Sequence, residues 1–328
     1  MADTWITDIT HFLDEKGELI SEPPRAWKLG EYLAVSRVRE SLPSAPLRVV
    51  TTGTGLGGAD WMRIFKLWVL ILVLVLTSGC AFTRTGIASL KSTSHFTKLD
   101  SDSRILYEPG AEALARQVGR SLPTAIAAVE NEQFLPYAKE VQVYVCTSQE
   151  SFEGFTGQKG ARGTVTSKLF LSGRLKEEPE KIASYLTHEL SHLHILQHLG
   201  FYRYNSDMPP WFVEGLAVEV SGGGGADKVR EADAAKSILA GKNFVPGTSG
   251  GFFFRKYGIA FGLEPHMFYR QSGMFVKYLR KSNKDGFNKF MLAIFNGKSF
   301  EEAFSMAYHT KLNDEWGKFV ELLFKQYS

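Results

Sequence analysis

His188-Glu189-Leu190-Ser191-His192 sets two imidazoles four residues apart with a carboxylate beside the first. On a helix such positions share a face, so both rings reach one cation, and imidazole donors favour zinc. Glu189 then sits close to the cation without ligating it. There it can take a proton from water that the metal has acidified and pass it to a leaving amine. The pattern is short enough to arise by chance, so its neighbours in the chain have to support it.

Glu214, 22 residues after His192, lies in Trp211-Phe-Val-Glu214-Gly-Leu-Ala217. A carboxylate among Phe212, Val213, Leu216 and Ala217 is costly to bury unpaired, and a cation beside it removes that cost. Two His, one Glu and an open position make a catalytic zinc site.

HELSH followed by WFVEGLA resembles the gluzincin branch of zinc metallopeptidases. The chain from about Tyr107 to the region of Trp316 resembles the bacterial peptidase MA-like family within it. The resemblance implies His188, His192 and Glu214 as metal ligands and Glu189 as general base. It also implies a zincin-like fold, in which a small sheet, an active-site helix and a helical C-terminal subdomain flank a cleft. Tyr269 is a candidate for stabilising the oxyanion, with a purely structural tyrosine as the alternative. One departure concerns the residue that orients a ligand histidine. Some gluzincins have an Asp one turn after the ligand Glu, where this chain has Val218; Glu219 falls on a different helical face.

His194 and His198 form a second one-turn pair, but lack the adjoining Glu and point away from His188 by helical phase. They read as surface or core-edge residues. Cys146 ends an apolar strand and reads as a small buried residue.

The metal motif needs a helix over residues 180–199, with Gly200 as its cap, and a second helix over 211–220 stopped by the glycine run 222–225. Upstream, apolar spacing predicts a helix from Ala111 that Pro123 kinks or divides, then strands at 141–145 and 163–171. Downstream it predicts helices at 226–240, 266–280, 286–295, 299–308 and 312–326. The Gly- and aromatic-rich segment 241–262 reads as a packed surface loop, with a mobile flap as the alternative. The fold class is α+β, predominantly helical.

Arg63 and Lys66 precede the apolar run 67–76, which ends at Thr77-Ser-Gly-Cys80. This is the order of a signal peptide, and the run is short for a membrane-spanning helix. Its end resembles a bacterial lipobox, which implies lipidation of Cys80; an uncleaved anchor is the alternative. Translation is expected to start at Met62, leaving 1–61 as a non-native extension, with a cytoplasmic tail as the alternative. The divisions are therefore 1–61, a signal peptide 62–80, a Ser/Thr-rich tether 81–105 and a zincin-like domain 106–328.

With 44% apolar and 22% charged residues the chain can bury a large core, and its net charge of +3 does not call for nucleic acid. Two cysteines exclude a disulfide scaffold and a multi-Cys zinc ribbon. The expectation is a zinc metallopeptidase of the bacterial cell envelope, held by a lipid at Cys80, facing the periplasm or exterior and acting on peptide or protein. The alternatives are a non-catalytic zinc-fold scaffold and a hydrolase of a non-peptide envelope amide.

Overall fold

The structure, a computed structural model, describes residue 88 and residues 91–327. These lie in the second of two units into which the chain divides, Leu70–Ser328. The expected extension 1–61, the signal peptide 62–80 and lipidation at Cys80 lie outside the described residues. Among the described residues no helix is long and apolar enough to cross a membrane.

The fold is α+β and mostly helical, with one mixed five-stranded sheet ordered β1-β2-β3-β5-β4. Strands β1 (Thr97–Leu99) and β2 (Asp102–Tyr107) are antiparallel, so the folded body begins ahead of the expected boundary at 106 and takes in the end of the expected tether. Strands β3 (Val143–Val145) and β5 (Leu169–Leu171) continue the sheet in parallel, with Val143 opposite Leu169. The single strand expected over 163–171 is instead a hairpin. Its first arm, β4 (Gly163–Val165), turns back antiparallel to form the sheet edge.

Side chains alternate across this sheet. Val143, Val145, Leu169 and Leu171 join one core, while Tyr144 and Phe170 join a smaller aromatic cluster on the other face. That second face is covered by α2 (Gln149–Thr156), a helix too short to show in the apolar spacing. The first face carries α1 (Glu112–Gln133), which passes through Pro123 as one helix rather than two. Its buried stripe of Leu114, Val118, Leu122 and Val129 outweighs the roughly 3 kcal/mol that an interior proline costs.

Helix α3 (Ile182–Ser206) lies between two cores. Leu186, Leu190 and Leu193 pack with the sheet and α1, whereas Ile195 and Leu199 enter the helical half. Gly200 interrupts α3 with φ +73°, where the chain was expected to be capped, and the helix resumes beyond it. The helical half contains α4 (Pro210–Val220), α5 (Glu231–Leu239), α6 (Pro265–Ser282), α7 (Lys284–Phe295), α8 (Phe300–Tyr308) and α9 (Leu312–Tyr327). Phe212, Phe275, Phe287, Phe290 and Phe300 fill its interior with offset and edge-on ring contacts.

Candidate metal centre

Helix α3 buries His188, Glu189 and His192 against the sheet, and α4 brings Glu214 to the same point. The two Nε2 atoms are 3.1 Å apart, and an oxygen of Glu214 lies 3.5 Å from His188 and 3.4 Å from His192. Among the described residues this is the group of three whose donor atoms converge, all within 4.8 Å of one another.

Protonation shows how well the trio fits a cation. His188 Nδ1 is 2.9 Å from the carbonyl oxygen of Gly224, which only accepts, so Nδ1 carries the hydrogen and Nε2 presents a lone pair inward. Burial works against ionising Glu214, yet positive charge and hydrogen bonds from His192 and His188 when they carry a proton hold its carboxyl well below the usual range, and a cation in the place of that proton would do the same. An anionic oxygen and an inward lone pair thus meet in a site shielded from water, and a divalent cation satisfies both.

The outer partners of the imidazoles were not legible in the sequence. The turn through the glycine run 222–225 delivers the Gly224 carbonyl to His188, in the role expected of an acidic side chain at the Val218 position. A Cβ at Gly225, which has φ +80°, would come within 2.9 Å of the His188 ring, so only glycine lets the turn approach this closely. Tyr204, beyond the break at Gly200, returns to place its hydroxyl 3.1 Å from His192 Nδ1. Glu219 turns to Arg280 at 3.0 Å and takes no part.

Glu189 is buried beside the trio but contributes no converging donor atom. Burial pushes its carboxyl up to about 7; the charge of Glu214 adds to this and His188 opposes it. Its space is made by the sheet edge, since a Cβ at Gly163 on β4 would lie 2.6 Å from the Cγ of Glu189. Arg162, just ahead, anchors the strand through a two-pronged ion pair with Glu178, Nη2 to Oε1 at 2.6 Å, and stacks on Tyr185.

Tyr269 stands where α6 crosses α4. The crossing is close because Gly215 and Gly273 face it: a Cβ at Gly215 would come within 2.5 Å of the Ser272 carbonyl, and one at Gly273 within 2.6 Å of Val218. Glu214 precedes Gly215, and Tyr269 lies one turn before Gly273, so the crossing sets Tyr269 beside the carboxylate. Its ring centroid is 6.2 Å from that of His188, and the charge of Glu214, ahead of burial, raises its hydroxyl well above the ordinary tyrosine range. It stays protonated and able to donate.

Tyr257 is a second hydroxyl near the trio that the sequence reading missed. Burial raises it, Arg255 opposes, and Glu214 adds. Arg255 reaches Tyr257 Oη at 3.3 Å through Nε, and the carbonyls of Tyr204 and Asn205 at 3.1 and 2.9 Å through Nη1. It therefore fastens the 241–262 loop to the end of α3. Between that loop, α3 and the sheet edge lies a cavity of about 830 Å³, bordered by Thr164, Val165, Leu193, Tyr204, Arg255 and Tyr257.

The second histidine pair is structural. His194 and His198 contact the carbonyls of Leu135 and Pro136 at 2.8 and 2.9 Å and pin the turn after α1. Cys146 is buried, and burial pushes its thiol far above the reactive range.

Comparison with protein-family models, with curated proteins and with solved structures finds no match to this chain.

Proposed function

We propose that this chain is a zinc-dependent metallopeptidase of zincin-like fold. The observation that carries the proposal is the buried convergence of His188, His192 and Glu214 with Glu189 next to it as a carboxylate that ligates nothing. A site kept for structure alone has no use for that fourth group. Zinc, when bound, would polarise a scissile carbonyl and acidify water.

The protein's own groups supply the rest. Glu189, buried next to the trio and ligating nothing, is placed to hold a proton and release it to the departing amine. Tyr269 and Tyr257 are protonated donors close enough to Glu214 to feel its charge, suited to a developing oxyanion. The cavity of about 830 Å³ beside the edge strand β4 has the size of a ligand pocket; it is lined by none of the trio, Glu189 or Tyr269 and adjoins them through Tyr204 and Tyr257, while β4 offers backbone groups to an extended chain. The arrangement of the apolar run 67–76 and Cys80 supports a lipid-tethered protein of the bacterial envelope.

Elemental analysis tests the first step: about one zinc per wild-type chain is expected, lost in Glu214→Ala. Turnover of casein and of purified cell wall by wild type and Glu189→Gln tests the second. Casein hydrolysis that disappears in Glu189→Gln supports the peptidase, cell-wall release alone would assign another amide, and absence of both would leave a zinc-holding scaffold.

A further inference from the structure

The metal site does not account for a rim of apolar side chains left in water. Phe201 and Tyr202, just past the break in α3, are 60% and 70% exposed, Phe254 is 85% and Ile259 is 90%. The rings of Phe201 and Tyr202 lie 6.1 and 5.6 Å from that of Phe252, so the end of α3 and the turn Phe252–Phe254 form one patch. The Gly250 amide donates to the Ser206 carbonyl at 2.8 Å and Arg255 binds the carbonyls before it, which ties the turn to α3. Phe252 adopts φ +35°, a backbone conformation that aromatic residues rarely take and that recurs at ligand clamps. The contiguous exposed apolar surface of Phe201, Tyr202 and the Phe252–Phe254 turn marks a contact site, and Ile259 follows in the next turn of the same loop. It also borders the cleft, because Phe201 and Tyr257 line the cavity.

Charge identifies the partner. Residues 241–262 contain Lys242, Arg255 and Lys256 and no acidic side chain, whereas Arg203 near the end of α3 is neutralised by Asp207 at 2.9 Å. Apolar tips that share an acid-free segment with Arg255 and Lys256 match the headgroup layer of an anionic bilayer. Each Lys or Arg near such a surface strengthens binding roughly fivefold. Chain length agrees: residues 77–96 separate the apolar run from β1 and can span at most roughly 70 Å. A lipid at Cys80, or an uncleaved anchor in that run, would hold the body within reach of the membrane.

We propose that the rim formed by Phe201, Tyr202, Phe254 and Ile259, with Lys256, docks on anionic phospholipid. The cleft then opens at headgroup level and receives polypeptide segments that emerge from the bilayer. The substrate class rests on the metallopeptidase reading, whereas the lipid contact requires no catalysis.

The test uses the full chain reconstituted in vesicles of phosphatidylcholine and phosphatidylglycerol, three to one. A photoreactive benzoylphenylalanine replaces Phe254, Ile259 or, as a control on α9, Phe324, which is 62% exposed. These side chains are exposed, so folding is retained, and circular dichroism with zinc content on each preparation checks it. The expected result is a phospholipid adduct at positions 254 and 259 and only background at 324. Equal lipid labelling at all three, no lipid adduct at the rim, a covalent dimer, or a link to residues 67–83 of the same chain each overturns the proposal. In membranes of the expressing cells, a protein adduct at 254 without a lipid adduct would overturn it in favour of a protein partner. Lipid adducts on a preparation that binds zinc but hydrolyses no peptide would leave the docking intact and remove the peptidase reading alone.

Discussion

The Nδ1 of His192 and the hydroxyl of Tyr204 lie 3.1 Å apart, twelve residues along the chain and on opposite sides of the break at Gly200. Were α3 continuous, three turns of rise would carry Tyr204 out of reach of His192. The glycine lets the chain fold back, and Arg255 holds the returning segment by its carbonyls. Burial raises the Tyr204 hydroxyl well above its ordinary range, so it remains neutral; were a metal held by His192 through its other ring nitrogen, Nδ1 would donate to the phenol oxygen. Tyr204→Phe is therefore expected to bind zinc about 10- to 100-fold more weakly with the fold retained. Competition against a chelator measures this, and unchanged affinity would show that the contact does not tune the ligand.

Glu189→Gln should separate binding from turnover. The substitution preserves volume beside the trio and takes away only the capacity to hold and release a proton. Zinc content is expected to stay at the wild-type level while peptide hydrolysis falls by roughly 10²- to 10⁴-fold. Loss of zinc in this variant would instead make Glu189 a ligand, and retained turnover would exclude it as the base.

The ligands were readable because side chains at helical spacing carry their own signature: His188 and His192 fall one turn apart, and Glu214 is an acid in an apolar segment. What supports them was not readable for a specific reason. Gly224 acts through its carbonyl, which every residue possesses, so the glycine run looked only like a helix stop. Tyr204 acts through a chain reversal that requires knowing how Gly200 bends, and Tyr257 lies in a loop with no periodicity. The hairpin of β4 and β5 reads as one strand because its turn, Thr166-Ser-Lys168, contains no Gly or Pro to mark a reversal between Val165 and Leu169. Helix boundaries beyond residue 265 were read more closely, since their apolar stripes face a single aromatic core, whereas the helix expected from 226 begins only at Glu231.

Gly163 is the place where the sheet touches the chemistry. A methyl group there would lie 2.6 Å from Glu189 Cγ and 3.1 Å from one of its carboxylate oxygens. The edge strand or the carboxylate has to shift, and a displacement near 1 Å at a reacting group costs on the order of 100-fold in rate. Gly163→Ala is expected to lose that much hydrolytic activity with near-normal zinc content, together with about 1–3 kcal/mol of stability from overpacking. Full activity in Gly163→Ala would show that Glu189 needs no such exact seat.

The ion pair of Arg162 and Glu178 makes the stability of this edge depend on pH. Arg162 hydrogen-bonds the Glu178 carboxylate; against the opposing effect of burial, and with help from Lys181, it lowers that carboxyl from 4.5 to about 2. Because the folded value lies below the unfolded one, the pair stabilises the fold fully above pH 4.5, and the contribution disappears as the pH falls toward 2. The carboxylate is partly exposed to solvent, which screens the pair, so the effect is about 1–2 kcal/mol at most. Urea unfolding at pH 6 should find Glu178→Gln less stable than wild type by that amount, and the difference should close as the pH approaches 2. A difference that stays constant with pH would mean that the substitution acts through packing, and the charge pair would then have no part in holding Gly163 against Glu189.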